Sequence, residues 1–89
     1  MKLLFSTRAW DDYRWWADED RKLRSKIDGL IADAMRSPFK GIGKPEPLKG
    51  ELSGWWSRRI NDEHRMVYRL TGSGEGQQLE ILQMRFHYR

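Results

Sequence analysis

The chain contains no cysteine. This absence excludes a disulfide scaffold, a thiolate zinc site, an iron–sulfur cluster and a cysteine nucleophile. Histidine occurs only at positions 64 and 87, without the spacing of metal ligands, so no metal or other cofactor is expected. Apolar runs reach only three or four residues, far below the roughly 18 of a membrane span. The N-terminus lacks the apolar region of a secretion signal. We therefore expect a cytoplasmic protein that does not cross a membrane.

The residues that are present describe one small, basic, aromatic-rich domain. Eighty-nine residues predict a single domain over 1–89, with room for one sheet and one layer of helices. Five tryptophans suit a packed core, and the net charge is +4. Most of that excess lies in residues 37–89, which carry +3. A basic surface of this kind favours a nucleic acid or an acidic protein as partner.

Apolar periodicity predicts two helices after a first strand at 2–6. Ser6 or Thr7 is a suitable helix cap, and a second helix is predicted over 20–36, ended by Pro38. Apolar positions recur at helical spacing in both segments. The predicted helical core positions are Trp10, Tyr13, Trp16, Leu23, Ile27, Leu30, Ile31 and Ala34.

Residues 37–54 hold all three prolines and four of the eight glycines, so a long loop is predicted there. Strand-like runs follow at 55–61, 65–70 and 78–86, separated by a short turn and by a glycine-rich one. The order β–α–α–β–β–β predicts an α+β fold, in which two N-terminal helices pack on one face of a small antiparallel sheet. Ile60, Met66 and Leu70 are the strand positions expected to meet the helices.

One motif is a false lead. The sequence Gly-Ile-Gly-Lys at 41–44 resembles part of a phosphate-binding loop, but Pro45 stands where serine or threonine is needed. The strand and helix that should flank such a loop are also missing from the predicted order.

Two arginines are expected to share the sheet face that the helices leave open. Strand side chains alternate between faces, so if Ile60 points to the helices, Arg59 points away. The same alternation places Arg65 on that face, because Met66 belongs to the core. Like charges so placed repel each other unless an anion lies between them. Taken alone, two solvated arginines on an exposed sheet remain the simpler interpretation.

Glu46 and His87 carry side chains that can transfer protons, which arginine and lysine cations do not provide. Glu46 lies between two prolines that stiffen the loop, with Lys44 and Lys49 nearby. His87 has a side chain that exchanges a proton near neutral pH. Each also has a structural interpretation, as an exposed acid and as a surface histidine. Together with the arginines they match the needs of RNA cleavage, namely a base for the 2′-hydroxyl, cations for the developing charge and an acid for the leaving oxygen.

Several sequence blocks together resemble one known family. The blocks run in order along nearly the whole chain. The GKPEPLK block and the block that joins WSRRI, EHR and VY are long and specific. The blocks are WDDY at 10–13, GKPEPLK at 43–49 with SPF before it at 37–39, LSG at 52–54, WSRRI at 56–60 with EHR at 63–65 and VY at 67–68, and the terminal His87-Tyr88. This pattern resembles the Txe/YoeB toxins of the RelE/ParE toxin superfamily. The glycine-rich turn at 72–76 is longer than the usual family hairpin, and Arg89 follows the usual terminal tyrosine.

The resemblance implies a RelE-like ribonuclease fold and an mRNA interferase. Such toxins bind the 70S ribosome and cut mRNA in the A site by attack of the ribose 2′-hydroxyl, without a metal. It further implies a YefM-like antitoxin and a homodimer. The implied roles are general base for Glu46, general acid for His87, transition-state cation for Arg65, RNA or phosphate binding for Lys44, Lys49 and Arg59, and nucleotide placement for Tyr88.

Two other functions remain open at this point. A gyrase inhibitor of the ParE type shares the implied fold, but it has no use for Glu46, Arg65 and His87 together. A noncatalytic module that binds RNA or protein would need only the basic surface. The cellular effect separates a gyrase inhibitor from a nuclease, since gyrase poisoning damages DNA whereas the nuclease arrests translation. A His87→Gln variant that stays toxic would indicate the noncatalytic module.

Overall fold

The structure is a computed structural model, and it describes residues 1–87. Two α-helices and five β-strands make up the regular part of this range. In chain order the elements are β1 (Lys2–Phe5), α1 (Thr7–Glu19), α2 (Arg21–Arg36), β2 (Glu46–Pro47), β3 (Trp56–Arg59), β4 (Arg65–Thr71) and β5 (Gln78–Gln83). Single 3₁₀ turns occupy Gly50–Leu52 and Gly74–Gly76. Neither α-helix within this range is long and apolar enough to cross a membrane.

The strands form one mixed sheet in the order β1-β5-β4-β3-β2. The three neighbouring pairs from β2 to β5 are antiparallel, and the hairpin order predicted two of them, β3 with β4 and β4 with β5. Strand β1 instead lies parallel to β5, with Lys2 opposite Gln78 and Phe5 opposite Ile81. The α+β class is confirmed, while the expectation of a wholly antiparallel sheet is wrong at this edge. Two helices and three strands separate β1 from β5 along the chain, so the two strands do not form a hairpin and need not be antiparallel.

Polar caps at the helix starts explain where the helices begin. The Ser6 hydroxyl accepts a hydrogen bond from the Ala9 N–H at 2.9 Å and donates one to the Leu82 carbonyl at 2.6 Å. Asp20 accepts from the Leu23 N–H at 3.1 Å, which closes the first turn of α2. Helix α2 ends at Arg36, before Ser37 and Pro38. The Ser6 side chain therefore both caps the start of α1 and bonds it to strand β5.

The core lies between the helices and one face of the sheet. Its fully buried members come from α1, α2, β3, β4 and β5 and from the residues that flank them. They include Ala9, Ile27, Leu30, Ala34, Ile60, Met66, Tyr68, Leu79, Ile81 and Met84. Trp16 is also buried, as predicted, and Tyr13, Leu23 and Leu70 pack at the margin.

The core prediction is wrong for Trp10, which is 51% exposed. The face of α1 that meets the sheet carries Ala9, Asp12 and Trp16, so position 10 is turned toward the edge. There the Trp10 ring contacts Phe5 and Tyr13, with ring centroids 6.4 and 6.3 Å apart. The aromatic stripe of α1 thus splits between the core and a surface cluster.

The segment predicted as a loop at 37–54 contains regular structure. Glu46 and Pro47 pair with Ser57 and Trp56 and form the outermost strand, β2. The Leu48 N–H donates to the Trp55 carbonyl at 2.9 Å, which extends this pairing by one bond. The proline-stiffened segment is therefore fixed along the edge of the sheet.

Candidate functional site

Glu46 begins a row of four directly paired residues across the sheet. It lies opposite Ser57, Ser57 opposite Val67, and Val67 opposite Gln83. Residues directly opposite each other present their side chains on the same face. This is the face away from the helices, and we call it the cleft face. Arg59 is two residues beyond Ser57 on β3, so its side chain is also on the cleft face.

A polar cleft of about 300 Å³ opens on the cleft face. Its lining carries three permanent cations and one carboxylate, so the cleft favours an anionic ligand. The lining residues are Lys44, Glu46, Ser57, Arg59, Arg65 and His87. The chain thus brings together side chains from β2, β3, β4 and the segment that follows β5. Five of these six residues were predicted from the sequence, and Ser57 was not.

The two cleft arginines are held by different partners. Arg59 forms an ion pair with the exposed carboxylate of Asp62. The Arg65 guanidinium donates to the carbonyl oxygens of Asn61 at 2.5 Å and His64 at 3.1 Å. Main-chain carbonyls do not neutralise its charge, so Arg65 is oriented and remains a full cation. The β3–β4 turn therefore fixes both guanidinium groups at one wall of the cleft.

Glu46 and Lys44 reach the cleft from its other side. Glu46 is exposed, and its backbone is fixed by the pairing of β2 with β3. Lys44 has a φ of +49°, a left-handed conformation that non-glycine residues adopt rarely. Such conformations cluster at functional sites. The chain turns sharply here and brings a cation and a carboxylate to the same wall.

His87 follows a segment that is anchored to both helix α1 and strand β4. The Met84 N–H donates to Asp12 at 2.9 Å, and the Trp16 indole donates to the Met84 carbonyl at 2.8 Å. One residue before His87, the Phe86 carbonyl accepts from the Arg65 N–H at 3.1 Å. The position of His87 therefore depends on two buried side chains of the first helix.

His64 contributes to this placement in a way that the sequence did not reveal. Its Nδ1 accepts the Phe86 N–H at 2.7 Å, which requires the tautomer with the proton on Nε2. The ring is buried edge-on against Trp16, with centroids 4.9 Å apart. Its position beside Arg65 in the EHR block is the signal that could have pointed to it. A second cavity, of about 400 Å³, adjoins the cleft through His87 and is lined also by Arg8, Gln83 and Phe86.

The described lining of the cleft does not include two of the predicted site residues, for different reasons. Lys49 is exposed just before the 3₁₀ turn Gly50–Leu52, and it is not among the residues that line the cleft. Tyr88 lies outside the described residues, as does Arg89. Within residues 1–87 no three histidine or acidic side chains cluster in a way that would hold a metal ion. The described site offers a carboxylate, three cations and a histidine as its charged or titratable groups.

Known structures with this architecture define a class of bacterial toxins. A YoeB/ParE toxin from Agrobacterium tumefaciens superimposes with a TM-score of 0.96 at 56% identity, covering 99% of this chain and 100% of that one. A YoeB dimer from Staphylococcus aureus and a heterotetrameric YoeB–YefM toxin–antitoxin complex from the same organism give TM-scores of 0.87 and 0.86. Both are 38% identical and cover 99% of this chain and 98% of theirs. The fold is that of toxins from toxin–antitoxin systems.

Sequence comparison identifies the family within that class. Residues 5–88 match the YoeB-like toxins of bacterial type II toxin–antitoxin systems. Toxin YoeB of Streptomyces coelicolor is 56% identical over 88 residues, which are 99% of this chain and 100% of the relative. Toxin YoeB of Escherichia coli K12 is 51% identical over the same span. This chain belongs to the YoeB-like toxin family and is a toxin of a type II toxin–antitoxin system.

Proposed function

We propose that this toxin is an mRNA interferase, a ribosome-dependent endoribonuclease that cuts mRNA in the A site and so stops translation. One observation carries the proposal. Glu46, Arg65 and His87, which are far apart in the sequence, line one cleft of about 300 Å³. A carboxylate, a fixed cation and a histidine in one anion-favouring cleft are the groups that cleavage of a phosphodiester by its own 2′-hydroxyl requires.

Proton transfer is assigned to Glu46 and His87. The Glu46 carboxylate takes the proton of the ribose 2′-hydroxyl, and the 2′-oxygen then attacks the adjacent phosphorus. Protonated His87 gives its proton to the departing 5′-oxygen as the P–O bond breaks. The products are a 2′,3′-cyclic phosphate and a 5′-hydroxyl. The substrate supplies the nucleophile, so the protein needs only to move two protons and stabilise charge.

The cations of the cleft stabilise the negative charge that builds up on phosphorus. Arg65 is held by backbone carbonyls, so its guanidinium is oriented before substrate arrives, which is the condition for effective stabilisation. Arg59 and Lys44 extend the positive surface along the cleft. Lys49, outside the cleft, would contact phosphate or ribosomal RNA, and Tyr88 would place the nucleotide.

The proposed partners are the 70S ribosome with its mRNA, a YefM-like antitoxin and a second copy of this chain. The S. aureus relatives include a YoeB dimer and a heterotetrameric complex with YefM, which supports the last two. Action on the ribosome would place the toxin in the cytoplasm. The excess of positive charge suits both RNA and an acidic antitoxin segment.

Single-turnover cleavage on programmed ribosomes tests the chemistry. Glu46→Ala and His87→Gln should each slow cutting about 10²- to 10⁴-fold, and Arg65→Ala about 10²- to 10³-fold. Binding to the ribosome should change little, because these groups act in the transition state. An mRNA with a 2′-deoxy ribose at the cut site should not be cut at all.

Glu75→Ala is the matched control. Glu75 is an exposed acid in the 3₁₀ turn Gly74–Gly76, which follows the end of β4 opposite to Arg65, and its loss should leave cleavage unchanged. Efficient cutting of the 2′-deoxy substrate would refute the mechanism. Normal cutting by His87→Gln would transfer the acid role to another group.

A further inference from the structure

Arg58 is completely buried on the helix side of β3, although its neighbour Arg59 faces the cleft. A buried guanidinium is costly unless its charge is paired and its N–H groups are bonded. All five N–H groups of Arg58 have a partner. They donate to Asp33 Oδ2 (2.5 Å), Tyr68 Oη (3.1 Å) and the carbonyl oxygens of Ser37 (2.7 Å), Lys40 (3.0 Å) and Ile42 (3.0 Å). Four of these five bonds reach α2 or the segment 37–43 that follows it.

Asp33 and Tyr68 complete what we call the Arg58 cluster. Asp33 Oδ2 also accepts the Ile42 N–H at 3.0 Å, and the Tyr68 hydroxyl donates to the Pro38 carbonyl at 2.6 Å. The bond from Arg58 lowers the pKa of Asp33, and burial raises the pKa of Tyr68. Near neutral pH the cluster is therefore a carboxylate, a guanidinium and a protonated phenol. Together they bind backbone atoms of four residues in segment 37–43.

The glycines of the 41–44 motif fit around this cluster. Gly41 has φ +121°, and a Cβ there would lie 2.1 Å from Asp33 Oδ2. Gly43 has φ +80°, and a Cβ would lie 2.8 Å from Leu30 Cδ2 and 3.2 Å from the Arg58 Cβ. Both positions need glycine because the chain passes against the cluster in a left-handed conformation. The sequence that resembled a phosphate-binding loop is thus a close crossing over Arg58.

Directly after this crossing, the chain enters the cleft. The Arg59 N–H donates to the Gly43 carbonyl at 2.7 Å, Lys44 takes its left-handed conformation, and Glu46 begins β2. We propose that Arg58, through Asp33 and Tyr68, is a positioning residue that fixes segment 37–43 and thereby holds Glu46 and Lys44 in the cleft. This inference rests on the proposed function, because it assigns the placement of the general base.

Tyr68→Phe tests the inference, because it removes one hydroxyl and keeps the ring. The expected result is faster amide exchange at Ile42 and Arg59, whose N–H groups bond to Asp33 and Gly43. Single-turnover cleavage should fall about 10- to 100-fold, since small misplacement of a reacting group is costly, while the KM for ribosomes stays within about twofold. Arg58→Lys keeps the charge but loses the planar fork, and it should show the same split more strongly.

Tyr13→Phe is the matched control. Its hydroxyl bonds Asp28 and Arg24 on the helix surface, so exchange at Ile42 and cleavage should stay at the wild-type level. Unchanged exchange in both Tyr68→Phe and Arg58→Lys would overturn the inference. So would faster exchange with full cleavage, provided that Glu46→Ala is inactive. A wild-type protein that cuts no RNA would instead refute the proposed function. The amide-exchange data alone would then show whether the Arg58 cluster fixes segment 37–43.

Discussion

Arg59 lies directly opposite Arg65 in the β3–β4 pair, on the cleft face of the sheet. Like charges directly opposite each other destabilise a strand pair. The structure offsets this repulsion with the Asp62 carboxylate at Arg59 and with backbone carbonyls at Arg65. Among residues 1–87, a carboxylate pairs with Arg59 and none with Arg65. A bound phosphate would therefore meet an oriented cation at Arg65, whereas Arg59 would first have to release Asp62.

This difference predicts distinct phenotypes for the cations. Arg59→Ala and Lys49→Ala should weaken ribosome binding, and the loss should shrink as salt rises, because contacts to phosphate depend on counterion release. Arg65→Ala should instead lower the single-turnover rate at saturating ribosome. Binding titrations and single-turnover rates at two or three salt concentrations measure the split. A purely catalytic loss in Arg59→Ala would show that its assignment to binding is wrong.

Neighbouring positions in α2 should respond in opposite directions. Leu30 is 1% exposed, and Leu30→Ala should lower the free energy of unfolding by about 2–5 kcal/mol through lost burial and a cavity. Gly29 is exposed, and beyond its chain neighbours and its own helix backbone no atom lies within 4 Å of an added Cβ. Gly29→Ala should raise stability by about 0.5–1 kcal/mol, because glycine costs that much inside a helix. Urea unfolding of both variants checks which positions of α2 face the core. A Leu30→Ala variant with the stability of the wild type would contradict this assignment.

Asp33→Asn should change how stability depends on pH. Arg58 holds the pKa of Asp33 below its ordinary value of 3.8, so the folded state favours the carboxylate. The resulting stability is fully present above pH 3.8 and is lost as the pH falls through the lower folded value. The difference between wild type and Asp33→Asn should therefore be largest near neutral pH and should shrink below pH 4.

Urea unfolding from pH 7 down to pH 2 measures this difference. Asp28→Asn is the control, because Asp28 pairs with Arg24 across 3.5 Å at an exposed site, where an ion pair contributes little. A wild-type advantage over Asp33→Asn that grew toward acid pH would contradict the assignment.

Association with an antitoxin of the proposed kind should depend on salt. The chain carries +4, and complementary charge raises the rate of encounter more than it changes dissociation. Exposed charges are screened beyond about 10 Å at 0.1 M salt. We expect the association rate to fall about tenfold between 0.05 and 0.5 M salt, with a much smaller change in dissociation. Stopped-flow mixing measures both, and a constant association rate would remove the electrostatic contribution.

Periodicity predicted the parts of the fold that depend on nearby residues. Helix α2 extends over Arg21–Arg36, against a predicted 20–36, because its apolar face and its caps are written in one continuous segment. Alternation correctly placed Ile60 in the core and Arg59 on the opposite face. The parallel pairing of β1 with β5 joins residues about 76 positions apart, and no local pattern records such a partner. Strand β2 is two residues long and contains proline, so it has no detectable period.

Residue types predicted the cleft better than they predicted its support. The cleft is lined by Glu46, Arg59, Arg65 and His87. Strand alternation and the sequence blocks had indicated these residues as candidates. Strand alternation puts Arg58 on the same side as Ile60, but its complete burial and its partners were not predicted, since arginine is mostly exposed in proteins. Its partners come from α2, from the following segment and from β4, which only the folded chain brings together.

The position of β5 in the sheet has a consequence for how the protein is made. It is inserted between β1 and β4, yet it is synthesised after every other strand of the described range. Until residues 78–84 have emerged, β1 has no neighbour, and the Ser6, Asp12 and Trp16 side chains lack their partners at Leu82 and Met84. The first helix lacks its contacts with β5 until then, and Arg65 and His64 lack the Phe86 backbone until that residue has emerged as well. Contacts this distant in sequence slow folding, so a nascent chain carries Glu46, Arg59 and Arg65 well before the cleft that they line has formed.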